Sequence, residues 1–181
     1  MVVINGHPGV GKDSFVDFCK ECAPGQIVES ISSVDRVKEA AEILGWGGLK
    51  DDYGRSFLSE LKDLSTQYYD GPLVYIMSAY NLQHSVATQH SKRLVFFVMI
   101  REPEEIKVLK STVTRRCGEI TTVLIKREHV AELYSNHADK NVAEFDYDMT
   151  VYNSGSIEDL KVTASRFMTE LLTVETQHHP V

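Results

Sequence analysis

Apolar residues along this chain fall into two alternating patterns: short continuous runs, and longer stretches spaced as on a helix. The runs MVVIN, QIVESI, RLVFFVMI, TTVLIK and DMTVYN read as strands. RLVFFVMI is apolar throughout, which suits a strand covered on both faces. Between the runs, SFVDFCKEC puts Phe15, Val16, Phe18, Cys19 and Cys22 at helical spacing, and Pro24-Gly25 stops it. Ser33 and Asp35 are N-cap candidates for a helix through VKEAAEILG, with Gly45 at its carboxyl end. RSFLSELKDLSTQYY repeats the pattern with Phe57, Leu58, Leu61, Leu64 and Tyr68, before Asp70-Gly71-Pro72 punctuates. LVYIMSAYNLQHSVATQ, EPEEIKVLKS, REHVAELYSNHADK and SIEDLKVTASRFMTELL also read as helices. Strands alternating with helices imply βαβ units joined by right-handed crossovers. The expected class is therefore α/β, with a mostly parallel sheet of about five strands and helices on both faces. With no repeat or linker in sight, residues 1–174 form one expected domain, followed by a polar tail over 175–181.

Composition narrows the partners. The 181-residue chain is 43% apolar and 25% charged, ordinary for a globular protein with a proper core. Its net charge of −7 argues against a nucleic-acid or membrane-surface partner, so a site for anions must be built from a few local cations. No apolar run approaches the ~20 residues that span a bilayer. Gly, His and Pro interrupt the amino-terminal run at once, unlike a secretory leader, and a cytoplasmic protein is expected. Cys19, Cys22 and Cys117 make no disulfide framework, and the lone C-x-x-C inside a helix reads as two reduced thiols rather than a redox or zinc site. Hydrolase and zinc signatures such as H-E-x-x-H and G-x-S-x-G are absent from the sequence.

The chemistry concentrates in residues 6–13, GHPGVGKD. A phosphate-binding loop is written G-x-x-x-x-G-K-[ST], and Gly6, Gly11 and Lys12 match it, between a predicted strand and a predicted helix. Glycines let successive N–H groups point inward, the helix adds its positive end, and Lys12 reaches the β- and γ-phosphates. The nucleotide-side candidates are Gly6, His7, Gly9, Val10, Gly11, Lys12, Asp13 and Ser14. Asp13 stands where a hydroxyl would hold Mg²⁺. Its carboxylate suits that hard cation directly or through water, while Ser14 supplies a hydroxyl if the loop is shifted by one residue.

The G-K-D-S sequence resembles P-loop kinases of the phage deoxynucleoside monophosphate kinase type, and animal phosphomevalonate kinases that share the G-K-D variant. The resemblance implies a three-layer P-loop NTPase fold, Mg²⁺ and ATP, an acceptor segment after strand 2 (about 30–70) and a lid (about 112–128). A strand-end pattern like D-x-R-x-P-x-E is matched by Arg101, Pro103 and Glu105, but its Asp falls at Met99, which cannot bind metal. Glu102 is the nearest replacement on the metal side and Glu105 another; both also suit the amino terminus of a helix. Asp35, Arg36, Lys38, Arg55 and Arg101 are the acceptor-side candidates, the alternative for the helical ones being a solvated face. Trp46 and Tyr53 can stack on a base or pack a core. Arg115 and Arg116 beside a glycine, followed by Lys126 and Arg127, form a lid candidate or a solvated turn. Asn153, Ser154 and Gly155 match the place where such kinases hold adenine, although turn chemistry also favours Asn and Gly there.

The resemblance thus implies transfer of the γ-phosphoryl of Mg-ATP to a (deoxy)nucleoside monophosphate by a monomer or homodimer acting on small-molecule nucleotides. Lys12, Asp13, Arg101, Arg115 and Arg116 are the catalytic candidates. The alternatives are a kinase of a phosphorylated metabolite that is not a nucleotide, and a nucleotide-binding protein without turnover.

Overall fold

The computed structural model describes residues 1–114, 120–127 and 142–174. The expected helix over 127–140, the lid arginines Arg115 and Arg116, and the tail lie outside the described residues, apart from Arg127. The strands are β1 (Val2–Asn5), β2 (Ile27–Ser32), β3 (Leu94–Met99), β4 (Thr121–Lys126) and β5 (Met149–Tyr152). The helices are α1 (Lys12–Glu21), α2 (Asp35–Ile43), α3 (Asp52–Tyr69), α4 (Gly71–Gln89), α5 (Pro103–Thr114) and α6 (Ile157–Val174). The strands form one parallel sheet in the order β2-β3-β1-β4-β5, so the α/β expectation holds.

Strand alternation divides the core into two layers. On one face Val2 and Ile4 of β1, Val95 and Phe97 of β3, and Val123 and Ile125 of β4 pack against α1 and α6. Phe167 of α6 is central there, with its ring 5.5 Å from Phe15 and 6.3 Å from Phe97. On the other face Val3, Phe96 and Val98 meet Ile76 and Met77 of α4 and Ile106, Leu109 and Val113 of α5. β1 therefore lies central and wholly buried, and the loop that leaves its carboxyl end is anchored at the middle of the sheet.

Two local expectations are corrected. Neither Ser33 nor Asp35 caps α2: the N-cap is Val34, without a side-chain bond. Asp35 lies inside the first turn and reaches back to accept from the Ser32 N–H at 2.7 Å. Gly45 does follow the end of α2, at φ +97°, and its N–H donates to Glu42 O. The second correction concerns α3. Its apolar stripe predicts a core-facing helix, yet Leu64 is 54% and Tyr68 65% exposed. Of its 18 residues the buried ones are Gly54 and Lys62. The reason is its position: α3 packs on α2 and α4 rather than on the sheet.

β4 and β5 are tied together by Asp148, whose Oδ2 accepts from both the N–H and the hydroxyl of buried Thr122, at 2.8 and 2.7 Å. Burial alone would raise this carboxyl's pKa, but the Thr122 bonds together with Lys110 outweigh it and hold it below the ordinary value of 3.8. A depressed carboxylate contributes stability above its unfolded pKa and loses it as pH falls through the folded one. Asp148→Ala is expected to cost about 1–3 kcal/mol at neutral pH, by leaving the Thr122 donors unpaired. In urea unfolding the gap to the parent should narrow as pH drops below 3.8; a gap independent of pH would mean that the charge contributes nothing.

Candidate functional site

The loop between β1 and α1 holds residues 6–11, and its shape depends on glycine at defined places. Gly9 and Gly11 adopt φ of +78° and +92°, a region L-residues with side chains rarely enter. A Cβ at Gly6 would sit 2.5 Å from the Ile125 carbonyl, and one at Gly11 would strike the Asn153 amide. Gly11 is the N-cap of α1 and supplies no side-chain cap, so the first N–H groups of that helix face the loop without a side-chain acceptor at the cap. Lys12 folds back over the loop, its Nζ donating to Gly6 O at 2.6 Å and His7 O at 2.9 Å.

Two asparagines brace this loop. Asn5, fully buried at the end of β1, accepts from the Gly6 N–H at 2.8 Å. Its Nδ2 donates to Arg101 O at 3.0 Å and to the Tyr147 hydroxyl at 2.6 Å. Tyr147 in turn donates to Val142 O, and burial holds its phenol at a pKa of about 12, a neutral hydroxyl across the working pH range. Asn153 donates from Nδ2 to Val10 O at 2.8 Å, while its backbone N–H reaches Lys126 O at 2.7 Å. Sequence reasoning missed Asn5 altogether. The signal was an amide at the last position of an apolar strand, directly before the first glycine.

The loop opens onto a cleft of about 550 Å³ at the carboxyl ends of β1, β2 and β3. This is where open parallel sheets place ligands. Of the nucleotide-side candidates, Gly9, Lys12 and Asp13 line it, together with Pro8. Asp13 is exposed on the first turn of α1; Ser14, also exposed, does not line the cleft. The Val10 side chain is buried in the core, so only its backbone is available to a ligand. Asn153 and Gly155 do not line the cleft either. Gly155 precedes Ser156, which exchanges hydrogen bonds with Asp159 across the first turn of α6.

The acceptor-side candidates divide. Asp35, Lys38, Arg55 and Arg101 line the cleft, joined by Lys50 and Lys62, which the sequence did not single out. Arg55 is steadied by its Nε bond to Lys50 O at 2.8 Å. Lys38 pairs loosely with Asp35 at 3.3 Å. Arg36 faces elsewhere, bonded to Glu39 at 2.5 Å and stacked over the Tyr75 ring at 5.3 Å. Trp46 lines the cleft with its Nε1 bonded to Leu49 O, whereas Tyr53 is 86% exposed and away from it.

On the metal side, Met99 does line the cleft, and its thioether is no ligand for a hard cation. Glu102 lines it too, but its Oε1 is held by Lys62 at 2.8 Å. Among the described residues no group of three His, Cys, Asp or Glu could hold a metal ion. The donor set fits Mg²⁺ in the way that ion is commonly held, by one or two carboxylates plus phosphate and water oxygens. The carboxylates that line the cleft are those of Asp13, Asp35 and Glu102.

The bracing amides set a test. Asn5→Ala removes three hydrogen bonds and should cost about 2–3 kcal/mol. Gly11→Ala meets both the positive φ and the Asn153 amide, and should abolish triphosphate binding in calorimetry while the far-ultraviolet spectrum stays native. Undiminished binding by Gly11→Ala would show that the loop does not hold phosphate in this shape.

No family model matches the chain, and no curated protein matches it in sequence. Among solved structures it is similar to a gluconokinase from Sinorhizobium meliloti 1021, at 14% identity over 98% of this chain and 97% of that one, with a TM-score of 0.49. A shikimate kinase from Aquifex aeolicus vf5 aligns at 16% identity over 98% of both chains, TM-score 0.43. A sugar kinase from Janibacter sp. HTCC2649 aligns at 11% identity over 93% of both, TM-score 0.47. Likenesses of this size leave function to be argued from the site's own geometry.

Proposed function

We propose that the chain is an ATP-dependent phosphotransferase acting on a small phosphorylated acceptor, a (deoxy)nucleoside monophosphate. The observation that carries this reading is the glycine loop with Lys12 folded over it, opening onto a cleft lined by Lys38, Lys50, Arg55 and Arg101 in a chain of net charge −7. Such a concentration of cations beside an amide-lined loop is what two phosphorylated ligands facing each other require.

In this reading the loop amides and Lys12 hold the β- and γ-phosphates of ATP, Lys12 leaving its carbonyl partners for the phosphate oxygens. Asp13 holds Mg²⁺, which when bound neutralises charge on the β- and γ-oxygens. Arg55, Arg101 and Lys38 grip the acceptor phosphate, and Trp46 offers a flat surface against its base. An acceptor phosphate is already an anionic nucleophile, so positioning and cationic stabilisation are the main demands. Arg115 and Arg116, outside the described residues, complete the proposal as cations that close over the transferred group.

The test is ADP release from Mg-ATP across the common ribo- and deoxynucleoside monophosphates. Lys12→Ala should lower acceptor-dependent turnover by about 10²-fold or more. Asp13→Ala should weaken it together with its magnesium dependence, while Ser14→Ala should do neither. Turnover with a non-nucleotide phosphate ester, indifferent to Trp46→Ala, would move the acceptor assignment to such a metabolite. Tight ATP binding without turnover on any acceptor would replace the kinase by a binding protein.

A further inference from the structure

α3 carries much of the acceptor face of the cleft, with Arg55, Leu58, Ser59 and Lys62 along one side. Its attachment to the body is unusual. Of its apolar positions, Leu64 and Tyr68 are exposed and Phe57, Leu58 and Leu61 only partly buried, whereas Lys62, at 7% side-chain exposure, is buried. Lys62 Nζ bridges two carboxylates at the β3–α5 junction, Glu102 at 2.8 Å and Glu105 at 2.9 Å. These side chains are 20% and 16% exposed, so the attraction acts largely out of water. The Glu105 Oε2 is buried without a hydrogen-bond partner, which leaves Lys62 as the group that compensates this carboxylate.

We infer that Lys62 is a positioning residue: its paired bonds to Glu102 and Glu105 latch α3 onto the β3–α5 junction and hold the acceptor face of the cleft opposite the phosphate loop. A buried ion pair adds little net stability compared with apolar packing, but it fixes geometry, because loss of either partner strands a charge. A helix that packs on α2 and α4 and is pinned at the junction by one buried cation has one preferred seat. The same ammonium group reaches Glu102, which lines the cleft, so it contacts both the seat of α3 and that carboxylate. The acceptor role of this face rests on the kinase reading; the latch itself does not.

Hydrogen exchange of the ligand-free protein reads the latch directly. In Lys62→Met, amides of α3 should exchange about tenfold faster or more, with β1, β3 and α1 unchanged. Lys62→Arg, which keeps the charge and both carboxylate partners, should restore most of the protection. With the acceptors that the parent protein phosphorylates, Lys62→Met should raise acceptor KM by about tenfold and leave ATP affinity within about twofold. If Lys62→Met does not fold, Lys62→Met with Glu105→Gln removes a buried negative charge along with the cation and should show the same loosening of α3. Unchanged exchange in α3, or a uniform rise over the whole molecule, would overturn the latch. Absence of turnover in the parent protein would instead sink the kinase reading while the exchange result still decides the latch.

Discussion

A loop built on glycines at positive φ, with few side chains of its own to hold it, must be fixed from outside. Here the fixing comes from two amides. Asn5 ties the first glycine of the loop to the β3 end and to Tyr147. Asn153 ties Val10 to the end of β4. Both asparagines are buried, so their bonds form in a low dielectric where a misplaced partner is costly. The rest of the architecture follows from this need. β1 must be central to offer anchors on both sides, and α6 must cover β5 and α1 so that Asn153 is shut in.

The charge distribution is built on the same axis. Acidic residues dominate the chain, yet the carboxyl end of the sheet collects Lys12, Lys38, Lys50, Arg55, Lys62 and Arg101. Lys12 and Arg55 are held by backbone carbonyls, and Lys38 and Lys62 by carboxylates. In the proposed reading Lys12, Lys38 and Arg55 are poised to exchange a protein oxygen for a phosphate oxygen, whereas buried Lys62 keeps its carboxylates. The overall negative charge keeps the remaining surface unattractive to the same anions.

What the sequence made legible was whatever depends on period and spacing. All five strands and the described helices lie where the apolar pattern puts them, because runs such as RLVFFVMI fit no surface position. The loop was legible because Gly6, Gly11 and Lys12 satisfy a backbone requirement that can be written as a spacing. Tertiary pairings were not. Nothing local distinguishes Lys62 from the other lysines of the chain, and only the approach of Glu102 and Glu105 makes it buried. Arg36 looked equal to Arg55, but Glu39 and Tyr75 lie within its reach and the cleft does not. Asn153 looked like a ligand for adenine; its amide is turned to the loop carbonyl instead.

The departure from the usual loop sequence is best understood together with Met99. In the proposed kinase reading, the Met99 thioether at the strand end offers no carboxylate to a metal ion from that wall of the cleft. Glu102 is paired with Lys62, and withdrawing it would leave a buried ammonium with Glu105 as its remaining carboxylate of the pair. In that reading the metal would be held from the near wall. A serine hydroxyl there would offer a neutral ligand, but Asp13 adds a full negative charge at the foot of α1. That charge is tolerable because the helix amino terminus and Lys12 lie beside it, and it becomes favourable once a divalent cation separates it from phosphate. In the proposed kinase reading, Asp13 at the start of α1 would be the anionic metal ligand, and Met99 at the end of β3 would supply none.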